Sequence, residues 1–227
     1  MSNECIDSFV NNELCPKTSP FDYIVLSLAW SPGYCFHNAK CKNTPENRWT
    51  IHGTWPTNIF QPHPHYCCVQ PDLDQKVINN LIDGLNKYWP SCVKRNEEFW
   101  QHEWNKHGTC SYGSPMLSGQ QNYFTGTLKL YHYINLNAGL QTLRITPHSF
   151  GRKSAYALEQ IRFALFQIYG KRVTFSCRRV KTYAKRKSQI LHEIFFCFDK
   201  YTMRLINCMG KDDGRCSQKE IHYIKSE

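Results

Sequence analysis

Twelve cysteines constrain the fold of this 227-residue chain more than any other feature. Their number is even, and no CxxC…CxxC spacing typical of a zinc site is present, so they predict a disulfide framework and an oxidising compartment. Reduced cytosolic thiols are the alternative. The neighbours Cys67 and Cys68 cannot easily bond to each other, so each has a distant partner or one of them stays free.

Hydrophobic patterns predict one α+β domain over residues 1–227. A run of β-branched and aromatic residues at 21–30 predicts a buried central strand, and the composition of 32–70 predicts loops around a short strand at 49–52. Helices are predicted at 73–89, 94–107, 123–140 and 154–169. Further strands are predicted at 173–180, 190–198, 202–207 and 220–224. Together they indicate a disulfide-stabilised central antiparallel sheet with helices packed to one side.

The net charge is strongly positive, because 28 Lys and Arg residues outnumber 18 Asp and Glu residues. A positive field attracts polyanions. Part of the excess lies in a basic run at 171–187, which contains Lys171, Arg172, Arg178, Arg179, Lys181, Lys185, Arg186 and Lys187. The run predicts either a phosphate-binding patch or a solvated, solubilising surface. No stretch approaches the ~20 apolar residues that a membrane span needs.

Titratable side chains are concentrated at 102–107. On a helix, Glu103 and His107 share one face, and His102 and Lys106 share an adjacent face. A carboxylate one turn from an imidazole orients the ring and favours its protonated form, and a lysine offers positive charge to a developing anion. Another histidine, His52, lies in the segment 49–56. Proton transfer needs such groups close together, so the two segments form the candidate site.

A metal site is not predicted at these histidines. The zinc-protease pattern His-Glu-x-x-His places its two ligands four residues apart, whereas Lys106, a cation, stands at that position after His102. His63 and His65 would chelate a metal weakly, and a solvated proline-rich loop is the alternative reading of that segment.

Imidazoles, a carboxyl and an ammonium group without a metal suit cleavage of a phosphodiester bond. One imidazole removes the proton from a ribose 2′-hydroxyl, which attacks the neighbouring phosphorus, and another protonates the departing 5′-oxygen. The 2′-hydroxyl is an internal nucleophile, so no cofactor is expected and RNA is the predicted substrate. Histidine clusters also serve acyl transfer, but the sequence lacks the Gly-x-Ser-x-Gly elbow of many hydrolases.

The segments 49–56 (WTIHGTWP) and 99–110 (FWQHEWNKHGTC) closely resemble the two motifs of the ribonuclease T2 family of secreted and lysosomal acid ribonucleases. Supporting similarities extend along most of the chain. The resemblance implies an endoribonuclease that cleaves single-stranded RNA without a metal or cofactor. It also implies a secreted protein or one in the lysosomal or endomembrane lumen, and a monomer is expected.

The resemblance implies a role for each matching side chain. His107 would be the general base on the 2′-hydroxyl, and His52 would be the general acid to the leaving oxygen. Glu103 and Lys106 would stabilise the pentacoordinate phosphate, and His102 would hold the substrate phosphate. The product would be a 2′,3′-cyclic phosphate, hydrolysed more slowly to a 3′-phosphate.

Substrate-binding residues follow from the same resemblance. Trp55 matches the stacking residue of the family's first nucleobase site, where stacking on an unpaired base is worth about 1–3 kcal/mol. Phe99 either lines the second base site or packs in the core. Three positions depart from the family. Thr54 replaces a usual leucine, Thr57 stands where an acidic residue often reads the base, and Ala29 replaces a glutamine.

Disulfides and partners complete the expectations. By resemblance the pairs are Cys35–Cys41, Cys68 (or Cys67)–Cys110, Cys177–Cys216 and Cys197–Cys208. The remaining cysteines suggest Cys5–Cys15 and Cys67–Cys92. The basic run at 171–187 is longer than expected for the family, and it suggests a secreted effector or cytotoxic ribonuclease that binds a cell-surface or glycan partner.

Overall fold

The structure is built on a central sheet with helices packed against one face. The computed structural model describes residues 20–38, 40–42, 46–68, 72–181, 187–209, 216 and 220–226. The strands in these ranges are β1 (Tyr23–Trp30), β2 (Trp49–Thr57), β3 (Ala155–Ala157), β4 (Thr174–Lys181), β5 (Lys187–Asp199), β6 (Leu205–Ile206) and β7 (Glu220–His222). They follow the order β2-β1-β5-β7-β3, with β4 and β6 also paired to β5. The sheet is antiparallel as predicted, except that β5 and β7 meet in parallel.

Most of the helices lie in the middle of the chain, as the sequence predicted, and a short one directly after β1 lies in the segment predicted as loops. They are α1 (Ser31–Cys35), α2 (Gln75–Ile78), α3 (Ile82–Tyr88), α4 (Asn96–Lys106), α5 (Gln120–Ile134), α6 (Leu136–Thr142) and α7 (Leu158–Tyr169). Short 3₁₀ turns cover Asn79–Leu81, Gly108–Gly113 and Arg152–Ser154. In the described ranges, no helix has the length and apolar composition needed to cross a membrane.

Strand β1 shows how the two faces of the sheet differ. Alternate side chains point to opposite faces of a strand. Ile24 and Leu26 join the main core, which the helices complete with residues such as Trp104 and Phe124. Val25, on the other face, belongs to a small cluster around the Cys197–Cys208 disulfide. The predicted α+β arrangement with helices on one side is therefore confirmed.

Two predicted helices are interrupted in the structure. The helix predicted at 123–140 is divided into α5 and α6, because Asn135 has a φ of 42° in the left-handed region. The helix predicted at 73–89 begins two residues later, where the Asp74 side chain accepts a hydrogen bond from the Lys76 amide. A 3₁₀ turn, Asn79–Leu81, then separates α2 from α3.

The observed bounds of two strands and the start of one helix differ from the predicted ones. The strand predicted at 49–52 continues to Thr57, because it pairs with β1 along its length until Thr57 lies opposite Tyr23. The strand predicted at 202–207 shortens to Leu205–Ile206, after a turn in which the Asp199 carboxylate accepts backbone hydrogen bonds. The helix predicted from 154 begins after β3, whose three residues pair with β7.

Disulfides connect the ends of several elements. The structure contains Cys35–Cys41, Cys177–Cys216 and Cys197–Cys208, as the resemblance implied. Cys110 is bonded to Cys67 rather than to Cys68, which is itself disulfide-bonded.

The suggested Cys67–Cys92 bond is therefore wrong. Cys67 is already bonded to Cys110, and Cys92 is a free thiol. The suggested Cys5–Cys15 pair lies outside the described residues. Sequence spacing did not distinguish Cys67 from Cys68 because both are adjacent in the chain.

The departure at Thr54 has a structural explanation. Thr54 and Thr127 are both completely buried, and the Thr127 hydroxyl donates a hydrogen bond of 2.9 Å to the Thr54 hydroxyl. A threonine in the core of β2 is thus matched by a threonine on α5. Such a pair fixes α5 against the strand that carries His52.

We predict that Thr127→Val lowers the free energy of unfolding by about 1–3 kcal/mol, because it leaves a buried hydroxyl without its partner. The double variant Thr54→Val/Thr127→Val should lose less than the sum of the two single losses. Urea denaturation of the four proteins measures this difference, with the exposed Thr142→Val as a control. Strictly additive losses would contradict a direct coupling between the two hydroxyls.

Candidate active site

His52 lies in a β-bulge of strand β2. In the pairing of β1 with β2, Ser27 lies opposite Gly53, and the next residue, Leu28, lies opposite Ile51. His52 is therefore the extra residue and has no partner on β1. Bulges of this kind bend a strand and redirect a side chain, and they are frequent beside active sites.

His107 lies just beyond the end of α4. The helix ends at Lys106, and His107 is its C-cap residue with a φ of −122°, although its amide still donates to the Glu103 carbonyl at 3.0 Å. A Cβ on Gly108 would overlap the Trp104 ring, so glycine permits this turn. The helix predicted at 94–107 is two residues shorter at its start and one residue shorter at its end. His107 therefore lies outside the helix and does not share a helical face with Glu103.

Trp55 contacts both imidazoles. Its ring lies 5.1 Å from that of His52, edge to face, and 5.1 Å from that of His107, as measured between ring centroids. The indole Nε1–H donates a hydrogen bond of 3.0 Å to Oε2 of Glu103. One side chain thus contacts three of the titratable residues of the two motif segments: His52, Glu103 and His107.

The Glu103 carboxyl is buried where α4 meets β2. Its Oε1 atom lies 3.9 Å from Nε2 of His52. The close approach requires Gly53, because a Cβ at that position would overlap the Glu103 carboxyl and lie 2.5 Å from Nε1 of Trp55. Burial raises the pKa of Glu103, and the nearby positive charges of His52 and Lys106 oppose that effect.

His52 and His107 have opposite pKa shifts. Burial by itself lowers the pKa of His52, but the hydrogen bond and charge of Glu193 and the charge of Glu103 outweigh it and raise the pKa to about 9. Burial lowers the pKa of His107, and the positive charge of Lys106 lowers it further, to about 2. At neutral pH, His52 is therefore protonated and His107 is neutral. Such a pair is suited to donate and accept protons in one reaction.

A cleft of about 340 Å³ opens beside His52. His102, Glu103 and Phe99 line it, and the Phe99 ring lies 5.8 Å from the His52 ring. Burial and the positive charges of Lys94 and Lys106 lower the pKa of His102. The structure therefore brings together His52, Trp55, Phe99, His102, Glu103, Lys106 and His107.

Thr57 is not among the residues that line this cluster. It is buried at the end of β2, and its hydroxyl donates to the Trp55 carbonyl at 3.0 Å. Because that hydroxyl is engaged within its own strand, the structure offers no support for a base-reading role of Thr57.

Two arginines of the basic run at 171–187, Arg172 and Arg178, bind backbone carbonyls. Arg178 donates to the carbonyls of Tyr34 and Phe36, and its guanidinium lies 5.7 Å from the Tyr34 ring centroid. Arg172 donates to the Cys208 carbonyl. Residues 182–186 of the run lie outside the described residues. These contacts indicate that Arg172 and Arg178 stabilise the fold.

Sequence reasoning missed Glu193. Its carboxylate accepts hydrogen bonds from Nδ1 of His52 and from the Ser27 hydroxyl, at 3.2 Å for the latter. The available signal was the pair His192-Glu193 in the otherwise apolar segment 190–198, because a buried carboxylate requires a charged or hydrogen-bonding partner.

Comparisons with known proteins identify the family of this chain. The sequence model of the Ribonuclease T2 family matches residues 21–208, which contain both motif segments. Ribonuclease T2 of Sus scrofa is 33% identical over 204 residues, covering 88% of this chain and 95% of that protein.

Solved structures show the same fold. RNase NT in complex with 5′-AMP superposes with a TM-score of 0.76 at 28% identity, covering 91% of this chain and 99% of the other. Human RNase T2 gives a TM-score of 0.73 at 25% identity, covering 91% and 100% of the two chains. The chain therefore belongs to the ribonuclease T2 family and is a T2-type endoribonuclease.

Proposed function

We propose that this protein cleaves single-stranded RNA by metal-independent transphosphorylation, first to a 2′,3′-cyclic phosphate and then to a 3′-phosphate. The observation that carries the proposal is the pair of imidazoles that both contact Trp55 and whose pKa values are shifted in opposite directions by their surroundings. A general acid must hold a proton at the start of the reaction, and a general base must lack one.

His107 acts as the general base in this scheme, because its imidazole is neutral at neutral pH. Its free nitrogen takes the proton from the ribose 2′-hydroxyl as the 2′-oxygen attacks the phosphorus. The bond from phosphorus to the 5′-oxygen then breaks, and protonated His52 donates its Nε2 proton to that oxygen. In the second step, a water molecule replaces the leaving alcohol, and the two histidines exchange roles to open the cyclic phosphate.

Glu103, Lys106 and His102 stabilise the phosphate in the proposed reaction. The positive charge of Lys106 stabilises the additional negative charge that develops on the oxygens of the pentacoordinate phosphate. Glu103 lies 3.9 Å from Nε2 of His52 and contacts the phosphoryl group beside that imidazole; burial raises the pKa of its carboxyl, which eases the approach of a negative phosphate. His102 faces the same cleft and binds the substrate phosphate there.

Unpaired bases occupy the two sides of His52 in the proposed complex. One base stacks on Trp55, and the other enters the cleft beside Phe99. Stacking on aromatic side chains requires bases that are free of a helix, which favours single-stranded RNA. The related RNase NT holds 5′-AMP, a ribonucleotide, which supports a nucleotide-sized site in this fold.

We also propose a secreted or lysosomal location and a monomeric protein. The four disulfides of the described residues fit an oxidising compartment. An effector role through a cell-surface or glycan partner stays a prediction that rests on net charge, because Arg172 and Arg178 are engaged within the fold.

The direct test is cleavage of defined RNA oligomers by His52→Ala and His107→Ala, with product mass analysis. We expect each variant to lose about 10²–10⁴-fold in kcat, as is typical for removal of a general acid or base. The products of the unaltered protein should contain a cyclic phosphate. The exposed His132→Ala on α5 is the matched control. Unaltered cleavage by His52→Ala or His107→Ala would refute the proposed function.

The pH dependence of kcat/KM follows from the two pKa shifts. Activity requires the protonated form of His52, so it should fall as pH rises through about 9. It also requires neutral His107, and activity should persist far into the acidic range because that pKa is about 2. Dinucleotide kinetics with circular dichroism at each pH measure the profile. An alkaline decline centred near the ordinary histidine pKa of about 6.5 would contradict this prediction.

We further predict that Gly53→Ala lowers kcat by about 10²-fold, because the new methyl group displaces the Glu103 carboxyl and a shift of ~1 Å has an effect of that size. Gly84→Ala on α3 is the control, since its Cβ would lie 3.5 Å from Leu128 in ordinary contact. Steady-state cleavage of a dinucleotide measures both variants. Equal activity of Gly53→Ala and Gly84→Ala would show that the position of Glu103 is not critical.

A further inference from the structure

We propose that Glu193 is a positioning residue for His52: its carboxylate binds Nδ1, turns Nε2 toward the cleft and keeps the ring protonated for donation to the leaving oxygen. The inference rests on the proposed function, in which His52 is the general acid. It adds a carboxylate from β5 to a site otherwise built from β2 and α4.

Two neighbouring β-bulges bring His52 and Glu193 together. His52 is the extra residue of β2 opposite β1. The other irregularity lies between β5 and β4: Ser176 of β4 lies opposite Glu193 and Cys177 lies opposite Leu191, so His192 is the extra residue of β5. Strands β2 and β5 lie on the two sides of β1, where the small side chain of Ala29 lies opposite Glu193. The small residue leaves room for the His52–Glu193 contact across the strand.

The environment of Glu193 holds its carboxylate in one place. The side chain is 10% exposed, and Oε1 accepts hydrogen bonds from both His52 and Ser27. Nδ1 of His192 lies 3.6 Å from Oε2, and Nε2 of His192 lies 3.1 Å from the Ser176 hydroxyl. A carboxylate that is buried and held by several partners fixes the orientation of the imidazole that it binds.

The two carboxyls beside His52 differ in the ring nitrogen that they face. Glu193 binds Nδ1, whereas Glu103 lies 3.9 Å from Nε2, on the side where the leaving oxygen must arrive. Glu103 is thus placed to contact the phosphate, and Glu193 acts through His52. Burial by itself raises the pKa of Glu193, but its contacts with His52 outweigh burial and keep the carboxyl ionised.

Several charged groups act on His52 together with Glu193. Glu103 and Lys106 act from the α4 side, with opposite signs. The charges of His102 and His107 are also coupled to that of His52. Glu193 has the largest effect among the charged neighbours, through both its hydrogen bond and its charge. Removal of that one negative charge should therefore change the protonation of His52 most.

The test compares Glu193→Gln and Glu193→Ala with Glu98→Gln, a change at an exposed glutamate of α4. Glutamine still accepts a hydrogen bond from Nδ1 but lacks the charge. In Glu193→Gln, the alkaline limb of the kcat/KM profile should move to lower pH. Activity at pH 8 should be about 30-fold lower if the pKa of His52 returns to about 6.5. An NMR titration of the His52 ring should show the same shift. Glu193→Ala should additionally lose kcat at low pH, because the ring is no longer oriented.

A second substrate separates this role from a structural one. A uridine 3′-nitrophenyl phosphate has a leaving group that needs no proton, so both Glu193 variants should cleave it nearly as well as the unaltered protein. Two results would overturn the inference: an unchanged alkaline limb and His52 titration in Glu193→Gln, or equal losses on both substrates at every pH. Full activity of His52→Ala would instead refute the proposed function itself.

Discussion

The approach of the buried Glu103 carboxyl to the backbone of Gly53 determines how helix α4 lies on strand β2. No side chain fits between them, since a Cβ at position 53 would overlap the carboxyl. The same carboxyl accepts a hydrogen bond from Trp55, whose ring contacts His52 and His107. The spacing of the two histidines therefore depends on one contact between a helix and a strand.

Aromatic packing around this contact keeps it rigid. The Tyr123 hydroxyl donates to the Thr54 carbonyl at 3.0 Å and lies 3.4 Å from the Glu103 carbonyl, so one phenol of α5 joins the strand to the helix. Trp89 donates from its indole to the His52 carbonyl at 2.8 Å. Trp104 is also buried against Tyr123. Because protein interiors are densely packed, a small displacement of these aromatic side chains also displaces the two imidazoles.

Local patterns predicted the parts of the site that lie close together in sequence. Helical spacing placed His102, Glu103 and Lys106 on α4, but it extended the helix to His107, whose backbone turns away. His52 was assigned through the resemblance between motifs, because no local pattern relates it to α4. Glu193 was missed, since its contact with His52 depends on two bulges that only the strand register reveals. A similar limit applies to Cys67 and Cys68, which are adjacent in the chain, so their spacing does not decide which one reaches Cys110.

The direction of proton transfer depends on the neighbours of each histidine rather than on residue type. His52 lies beside two carboxyls, Glu193 and Glu103, and their charge favours its protonated form. His107 is partly buried, and the charges that act on it, from Lys106, His52 and His102 among others, are positive, so its neutral form is favoured. Protonation of His52 also reinforces the neutrality of His107, because each positive charge raises the free energy of the other. In the proposed reaction, the fold thus provides one acid and one base from two residues of the same type before substrate binds.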